Sequence, residues 1–391
     1  VLLGDLMTST HSSVPSVDLP FPRAEYERRL KKVFEAMERD NLDALLVTAL
    51  GNLQYLSGYD GRGAYFMPFP LILVPGQKPT LVVREFDLVS VRVGSWVDEI
   101  VPFRDQNDFA PVCADAIRRF GLKGRVGLEL GCWNLAPADV NALQAELPDM
   151  QFVDASRLVA TVAAVKTNLE LEVMRSAMKM TDLAIRVFQK SLREGVSEAE
   201  VAANIGREVE SAGGVPVSSL TLLFGERTKF PHGSPKHNPI RNNEPAFMEQ
   251  GGVQSGYACG LVRSAVLGRH AETESLHELS VEVLEAVISA IRPGATAGEV
   301  DAAGREVLER RGRPGLLKHR VGYQTGVNWV ERGYISLEPG ARDILEPNMT
   351  FHMPIILCGE SGYMFGTSEH VLVTEQGSEK LSSTPHTLFH A

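Results

Sequence analysis

Cysteine is scarce in this chain: four residues in 391, at positions 113, 132, 259 and 358. None is paired as CxxC, which removes the zinc-ribbon and thioredoxin patterns, and scattered thiols suit a reducing cytoplasm. Positive charge is in deficit. Lys and Arg total 39 against 49 Asp and Glu, a net −10 with no basic block, so nucleic acid is not an expected partner. The acidity serves solubility. No apolar run reaches the ~20 residues that span a bilayer, and no membrane partner is expected. The opening VLLGDLMTSTHSSVPSVDLPFPR has an apolar start but no basic region before it. It reads as a loose arm over 1–22 and not as a signal peptide. The rest is ordinary for a globular protein: 44% hydrophobic, 23% charged, and long enough for two domains with full cores.

The chain reads as two parts. From 23 to about 160, helical and extended patterns alternate. Residues 25–40 have helical spacing, and 43–48 form a short apolar strand. Strands are expected at 71–74, 80–83 and 125–129, which together suggest an α/β layer. Near 160 the pattern changes to long helices, so a second domain is expected over 161–391.

That second part echoes itself. A helix over 169–193, with apolar Val173, Ala177, Met180, Ala184 and Val187, ends near Gly195. Ser197-Glu198-Ala199-Glu200 then opens a second helix with a capping box. Further on, a helix over 273–291 ends at Pro293-Gly294, and Thr296-Ala297-Gly298-Glu299 caps another. The tetrad Gly206-Arg207-Glu208-Val209 returns as Gly304-Arg305-Glu306-Val307. Matched order and caps predict a duplicated unit of helix pair plus sheet. Strand-like runs lie at 218–224, 246–249, 257–267, 350–357 and 369–374.

Four short motifs stand in order. Phe230-Pro231-His232-Gly233 sets His232 before Glu249. Glu249 is the second residue of MEQGGVQSGYACGLVR, which holds Gly256-Tyr257 and Arg263. His319-Arg320-Val321-Gly322 and Glu369-His370-Val371-Leu372-Val373 follow. In this order and at these intervals the chain resembles the creatinase, prolidase and aminopeptidase P superfamily, through nearly its whole length. The resemblance implies an α+β protein: a pita-bread C-terminal domain behind a smaller α/β domain, commonly in homodimers.

It also implies a comparison of ligands. The metallopeptidases of the superfamily hold two ions with two Asp, one His and two Glu, because paired cations need bridging carboxylates. Here the first Asp is Glu249 and the second is Gly260. The His is His319, the first Glu falls in Phe351-His352-Met353-Pro354, and the last Glu is Glu369. A second His expected further on is Gly326. No dinuclear centre and no cofactor are therefore expected, although Glu249, His319 and Glu369, with His352, satisfy the ligand count for one ion.

The surviving details resemble the ectoine hydrolase branch: Glu249 eight residues before Tyr257, Arg263 six later, HRVGYQTG and NMTFH. In that branch the Glu is implied to attack the amidine carbon of ectoine, opening the ring to an N-acetylated diaminobutyrate. An amidinium carbon is already electrophilic, so a carboxylate can attack it or activate water, and an imidazole can carry the proton. The expected function is thus metal-independent C–N hydrolysis of a small cyclic amidine in the cytoplasm. Glu249, His232 and His352 are the catalytic candidates. Glu369, His319, Arg263 and Tyr257 are candidates for substrate contact. Each has a structural reading beside it. His232 serves as a turn residue, and His319 and His352 as satisfied core histidines. Glu369 serves as the buried partner of Arg263, and Tyr257 as core. An Xaa-Pro peptidase with unusual ligands and a non-catalytic binding protein are the alternatives.

Overall fold

The alternating apolar runs of the first part become one six-stranded sheet. The computed structural model describes residues 19–61, 63–65, 67–104, 108–216, 220–328 and 334–391. The chain divides between Val159 and Ala160 into two compact units. The first runs α1 (Arg23–Arg39), β1 (Ala44–Val47), α2 (Leu50–Ser57), β2 (Leu71–Leu73), β3 (Thr80–Arg84), α3 (Leu88–Gly94), β4 (Glu99–Phe103), α4 (Phe109–Arg118), β5 (Arg125–Leu128), α5 (Pro137–Glu146) and β6 (Gln151–Asp154), before α6 (Leu158–Val162). Strand order is β4-β3-β2-β1-β5-β6. β1 lies in the interior of the sheet, parallel to β5 and antiparallel to β2, and all four of its residues are buried. A strand covered on both faces needs the uninterrupted apolar run Ala-Leu-Leu-Val. The expected arm is not loose throughout. Phe21 is buried edge-on to Tyr26, with the Arg29 guanidinium 4.5 Å over its ring.

The second unit contains α7 (Asn168–Ser191), α8 (Glu198–Ser211), β7 (Val215–Pro216), β8 (Thr221–Phe224), β9 (Glu244–Gln254), β10 (Tyr257–Leu267), α9 (Ala271–Ala290) and α10 (Ala297–Arg310). After these come β11 (Gly322–Gln324), β12 (Ser336–Leu337), β13 (Thr350–Cys358), β14 (Met364–Thr374), β15 (Gly377–Lys380) and β16 (Phe389–His390). One sheet is ordered β16-β10-β9-β7, with β8 also on β9; the other is β12-β11-β13-β14-β15. Helix α7 packs on β9 and β10 as α9 packs on β13 and β14.

The duplication extends to individual hydrogen bonds. Gly195 N donates to Ile240 O, Ile240 N to Val196 O, Glu198 N to Asn238 O and Ala199 N to Lys236 O. In the second copy Gly294 N donates to Leu345 O, Leu345 N to Ala295 O, Ala297 N to Asp343 O and Gly298 N to Ala341 O. Both short helices carry the expected capping box, Ser197 with Glu200 and Thr296 with Glu299. The architecture is the α+β pita-bread fold.

Two details differ from the expectation. The buried stripe of α7 runs through Leu171, Met174, Ala177, Met178, Ile185 and Phe188. Val173, Met180 and Val187 sit at its margin, because the sheet covers a face turned by about one residue. The GREV tetrads also occupy unlike surroundings. A Cβ on Gly304 would stand 2.7 Å from Val287 Cγ2, whereas one on Gly206 would meet nothing within 4 Å. Close helix packing requires glycine only in the second copy.

Candidate active site

The acidic motif folds as a hairpin because Ser255 and Gly256 both adopt positive φ, 50° and 82°, the two-residue turn that matches strand twist. Pairing in register sets Glu249 opposite Val262 and Gly251 opposite Gly260. Directly opposed residues share a face of an antiparallel pair. The neighbours of Glu249 on its face include Val262, Gly251 and Gly260, with Thr221 of β8 directly opposite on the other side. Glu249 is half-buried, and among the described residues its carboxyl meets no hydrogen-bond donor or cation. Burial pushes its pKa up to about 7. The other face of the hairpin is occupied by α7. There Thr181 Oγ1 donates to Cys259 O and accepts from Gly252 N, while Cys259 Sγ donates to Met174 O. Burial pushes the Cys259 thiol far up, so it is inert as a nucleophile.

On β13 and β14, His352 opposes His370, and the two rings stack 6.1 Å apart. His352 is fully buried. Its Nδ1 lies 2.9 Å from the Tyr323 hydroxyl and its Nε2 2.9 Å from Ser368 Oγ. Ser368 Oγ in turn accepts from Val262 N at 2.6 Å, on the strand facing Glu249. Burial, helped by His370 and Arg263, holds His352 well below the usual imidazole range. The structure places His352 as a brace between Tyr323 and Ser368, with both ring nitrogens bonded. His370 is also fully buried, pulled down to about 4 by burial, with Nε2 2.7 Å from Thr325 Oγ1.

Glu369 and Arg263 are both held by structural partners, as their structural reading expects. Glu369 accepts from Ser382 Oγ at 2.7 Å, from His386 Nε2 at 2.9 Å and from His370 N at 2.8 Å. Burial alone would raise its pKa, but these donors and Arg263 hold it below the usual carboxylate value. Arg263, 4.0 Å from Glu369, donates to the carbonyls of Val262, Ser368 and Thr384. It is a cross-brace between β10, β14 and the segment after β15, and burial lowers it to about 10. Tyr257 is core: its hydroxyl donates to Glu170 Oε1 at 2.7 Å, on α7.

Two candidate histidines remain. His319 is half-buried, with Nδ1 2.7 Å from Arg320 O and Nε2 3.3 Å from Ile356 O. His232 is exposed in a turn, at φ 55°. Its loop follows β8, in which Thr221 pairs with Glu249.

The sequence pattern of Metallopeptidase family M24 matches residues 172–375, and that of the Creatinase/Prolidase N-terminal domain matches 29–165. The chain belongs to metallopeptidase family M24. Among M24 relatives, an ectoine hydrolase of Halomonas elongata is 30% identical over 401 residues, covering 95% of this chain and 99% of that protein. A hydrolase/peptidase of Sinorhizobium fredii is 30% identical over 383 residues, covering 94% and 97%. The fold matches dipeptidase PepE from Mycobacterium ulcerans at a TM-score of 0.82 and 24% identity, over 95% of this chain and 99% of that one. It matches an Xaa-Pro dipeptidase from Bacillus anthracis at 0.80 and 19%, over 94% and 100%.

The family's name implies metal, and the side chains present do not fit a pair of ions. Two ligand positions hold no acid, Gly260 and the 351–354 segment. The oxygens of Glu369 are taken by Ser382, His386 and a backbone amide. The ring nitrogens of His319 face backbone carbonyls. Among the described residues no group of three or more His, Cys, Asp and Glu is arranged around a common point for an ion.

Sequence reasoning assigned no role to Tyr323, Ser368, His370 or Lys166. Lys166, just before α7, is fully buried, donates to Ala164 O at 2.9 Å and lies 3.7 Å from where a Cβ on Gly326 would stand. Burial lowers its amine to about 8 against the pull of Glu170. The alternation along 368–370 was the available signal for Ser368 and His370. It puts both on the face opposite Glu369.

Proposed function

We propose that this chain is a hydrolase that opens a C–N bond of a small cyclic amidine, with ectoine the leading candidate. The observation that carries the reading is Glu249: a half-buried carboxyl that meets no donor among the described residues, poised at about pH 7. The likeness to an ectoine hydrolase over almost the whole chain supports it. A carboxyl that every structural donor has left alone is available to a ligand. A planar amidinium supplies the missing positive charge and draws the group into its ionised form. The carboxylate takes the proton of a water that adds to the amidine carbon, or itself adds to that carbon, in which case a water cleaves the bond to Glu249 after the ring has opened and releases the product. The ring C–N bond breaks, and the nitrogen leaves with a proton from an imidazole, for which His232 is the candidate. His352, held neutral, fixes Tyr323 and Ser368 around that chemistry. A dipeptide amide is less activated and asks for a Lewis acid that this ligand set does not hold.

The test is product detection after incubating EDTA-treated protein with ectoine, creatine and Xaa-Pro dipeptides. Ring-opened, N-acetylated product from ectoine is expected. Glu249→Gln should lower turnover by at least ~10². With the wild type, kcat/KM should rise as pH passes through about 7, where Glu249 ionises in the free enzyme. A Glu249→Gln enzyme within a few-fold of wild type would sink the reading, as would Xaa-Pro cleavage restored by a divalent metal.

A further inference from the structure

We infer that Glu198 is a positioning residue for the His232 loop, an inference that rests on the reading that His232 takes part in the reaction. Glu198 is the first residue of α8 and is fully buried. One carboxylate grips both flanks of the loop. On the leading side it accepts from Phe224 N at 2.9 Å and from Arg227 Nε at 2.9 and 3.1 Å. On the trailing side it accepts from Lys236 N at 2.8 Å and from Asn238 Nδ2 at 3.2 Å. Arg227 reaches across to Ser234 O at 2.8 Å, closing a second clasp. His232 lies between these points, in a left-handed conformation that a histidine adopts at some cost.

The internal repeat supplies the control. The backbone bonds joining α8 to 236–240 recur between α10 and 341–345, yet the residue corresponding to Glu198 is Ala297. At the matching position that scaffold carries no charge, and burying one is costly unless it is fully bonded. In the first copy the segment between α8 and residue 236 carries His232. The grip also ties the loop to the end of β8, the strand paired with Glu249. A carboxylate that holds a loop at four points fixes the angle and depth of an imidazole in the way that supporting shells orient reactive groups.

The experiment is a double-mutant cycle of Glu198→Gln and His232→Ala with ectoine as the probe substrate, together with ¹³C-labelled histidine spectra of the His232 ring. Glu198→Gln keeps the volume and weakens the clasp. It should lower kcat about tenfold with KM within about twofold, and add nothing further on the His232→Ala background. The His232 signal should shift and broaden. If the two losses multiply, or the His232 signal keeps its wild-type position and width, Glu198 only supports the fold and the inference is overturned. Wild-type turnover in His232→Ala would instead overturn the catalytic reading, and the ring spectrum would still decide the positioning claim. Should Glu198→Gln fail to fold, Arg227→Met removes one arm of the clasp and is read by the same spectrum.

Discussion

Glu249 and Glu369 stand in comparable places, each on a long strand of one copy of the repeat, and their surroundings are opposite. Glu369 is clasped by Ser382, His386, a backbone amide and Arg263, and its carboxyl is held below the usual range. Glu249 faces valine and glycine and is raised to about 7. One carboxylate is spent on cohesion. Among the described residues the other meets no donor, an arrangement that costs stability. The same division runs through the helices. At the first position of the short helix the first copy buries Glu198 to hold a loop, where the second has Ala297.

The sharpest way to break this comparison is to remove Glu369. Glu369→Ala removes the stronger of the two carboxylate attractions on buried Arg263, leaving that of Asp182, and should cost up to ~3–5 kcal/mol by denaturant titration. Its contribution is present above the unfolded carboxyl pKa and is lost as pH falls through the depressed folded value. Loss of less than ~1 kcal/mol at pH 7 would mean that the clasp is ornamental.

Glu249 should show the reverse sign. Its folded pKa of about 7 exceeds the ordinary 4.5, so the native state binds the extra proton between those values and stability falls as pH rises through that window. Glu249→Gln removes the penalty. Relative to wild type it should be more stable at pH 8 than at pH 4 by up to ~3 kcal/mol. A variant with the same advantage at both pH values would show that Glu249 has a partner in solution.

The smallest effects separate the two GREV tetrads. Gly304→Ala forces a methyl against Val287 and should cost ~1–3 kcal/mol. Gly206→Ala enters open space in a helix and should stabilise by up to ~1 kcal/mol. Equal signs would contradict the asymmetry between the copies.

These contrasts also mark what the sequence made legible. Helix pairs, capping boxes and the order of strands follow from local chemistry, and Ser197, Glu200, Thr296 and Glu299 announced them. The hairpin around Gly256 was readable for the same reason. The fate of Glu369 was not, because Ser382 and His386 approach it from beyond β15. His352 sat on an apolar strand with no mark of the Tyr323 and Ser368 hydroxyls that claim both its nitrogens. Family motifs locate positions on strands. Which of those positions remains chemically unoccupied depends on side chains contributed from distant segments.

One such segment has a consequence for synthesis. Asp182, in the middle of α7, accepts hydrogen bonds from the backbone and hydroxyls of Ser383 and Thr384, the former 201 residues downstream. β16 then pairs with β10. The first copy of the repeat therefore cannot complete its own sheet edge or pair its buried Asp182 until residues 382–390 have been made. On the ribosome it waits with an open β-edge for most of the second copy's translation, which exposes it to misassociation with other nascent chains.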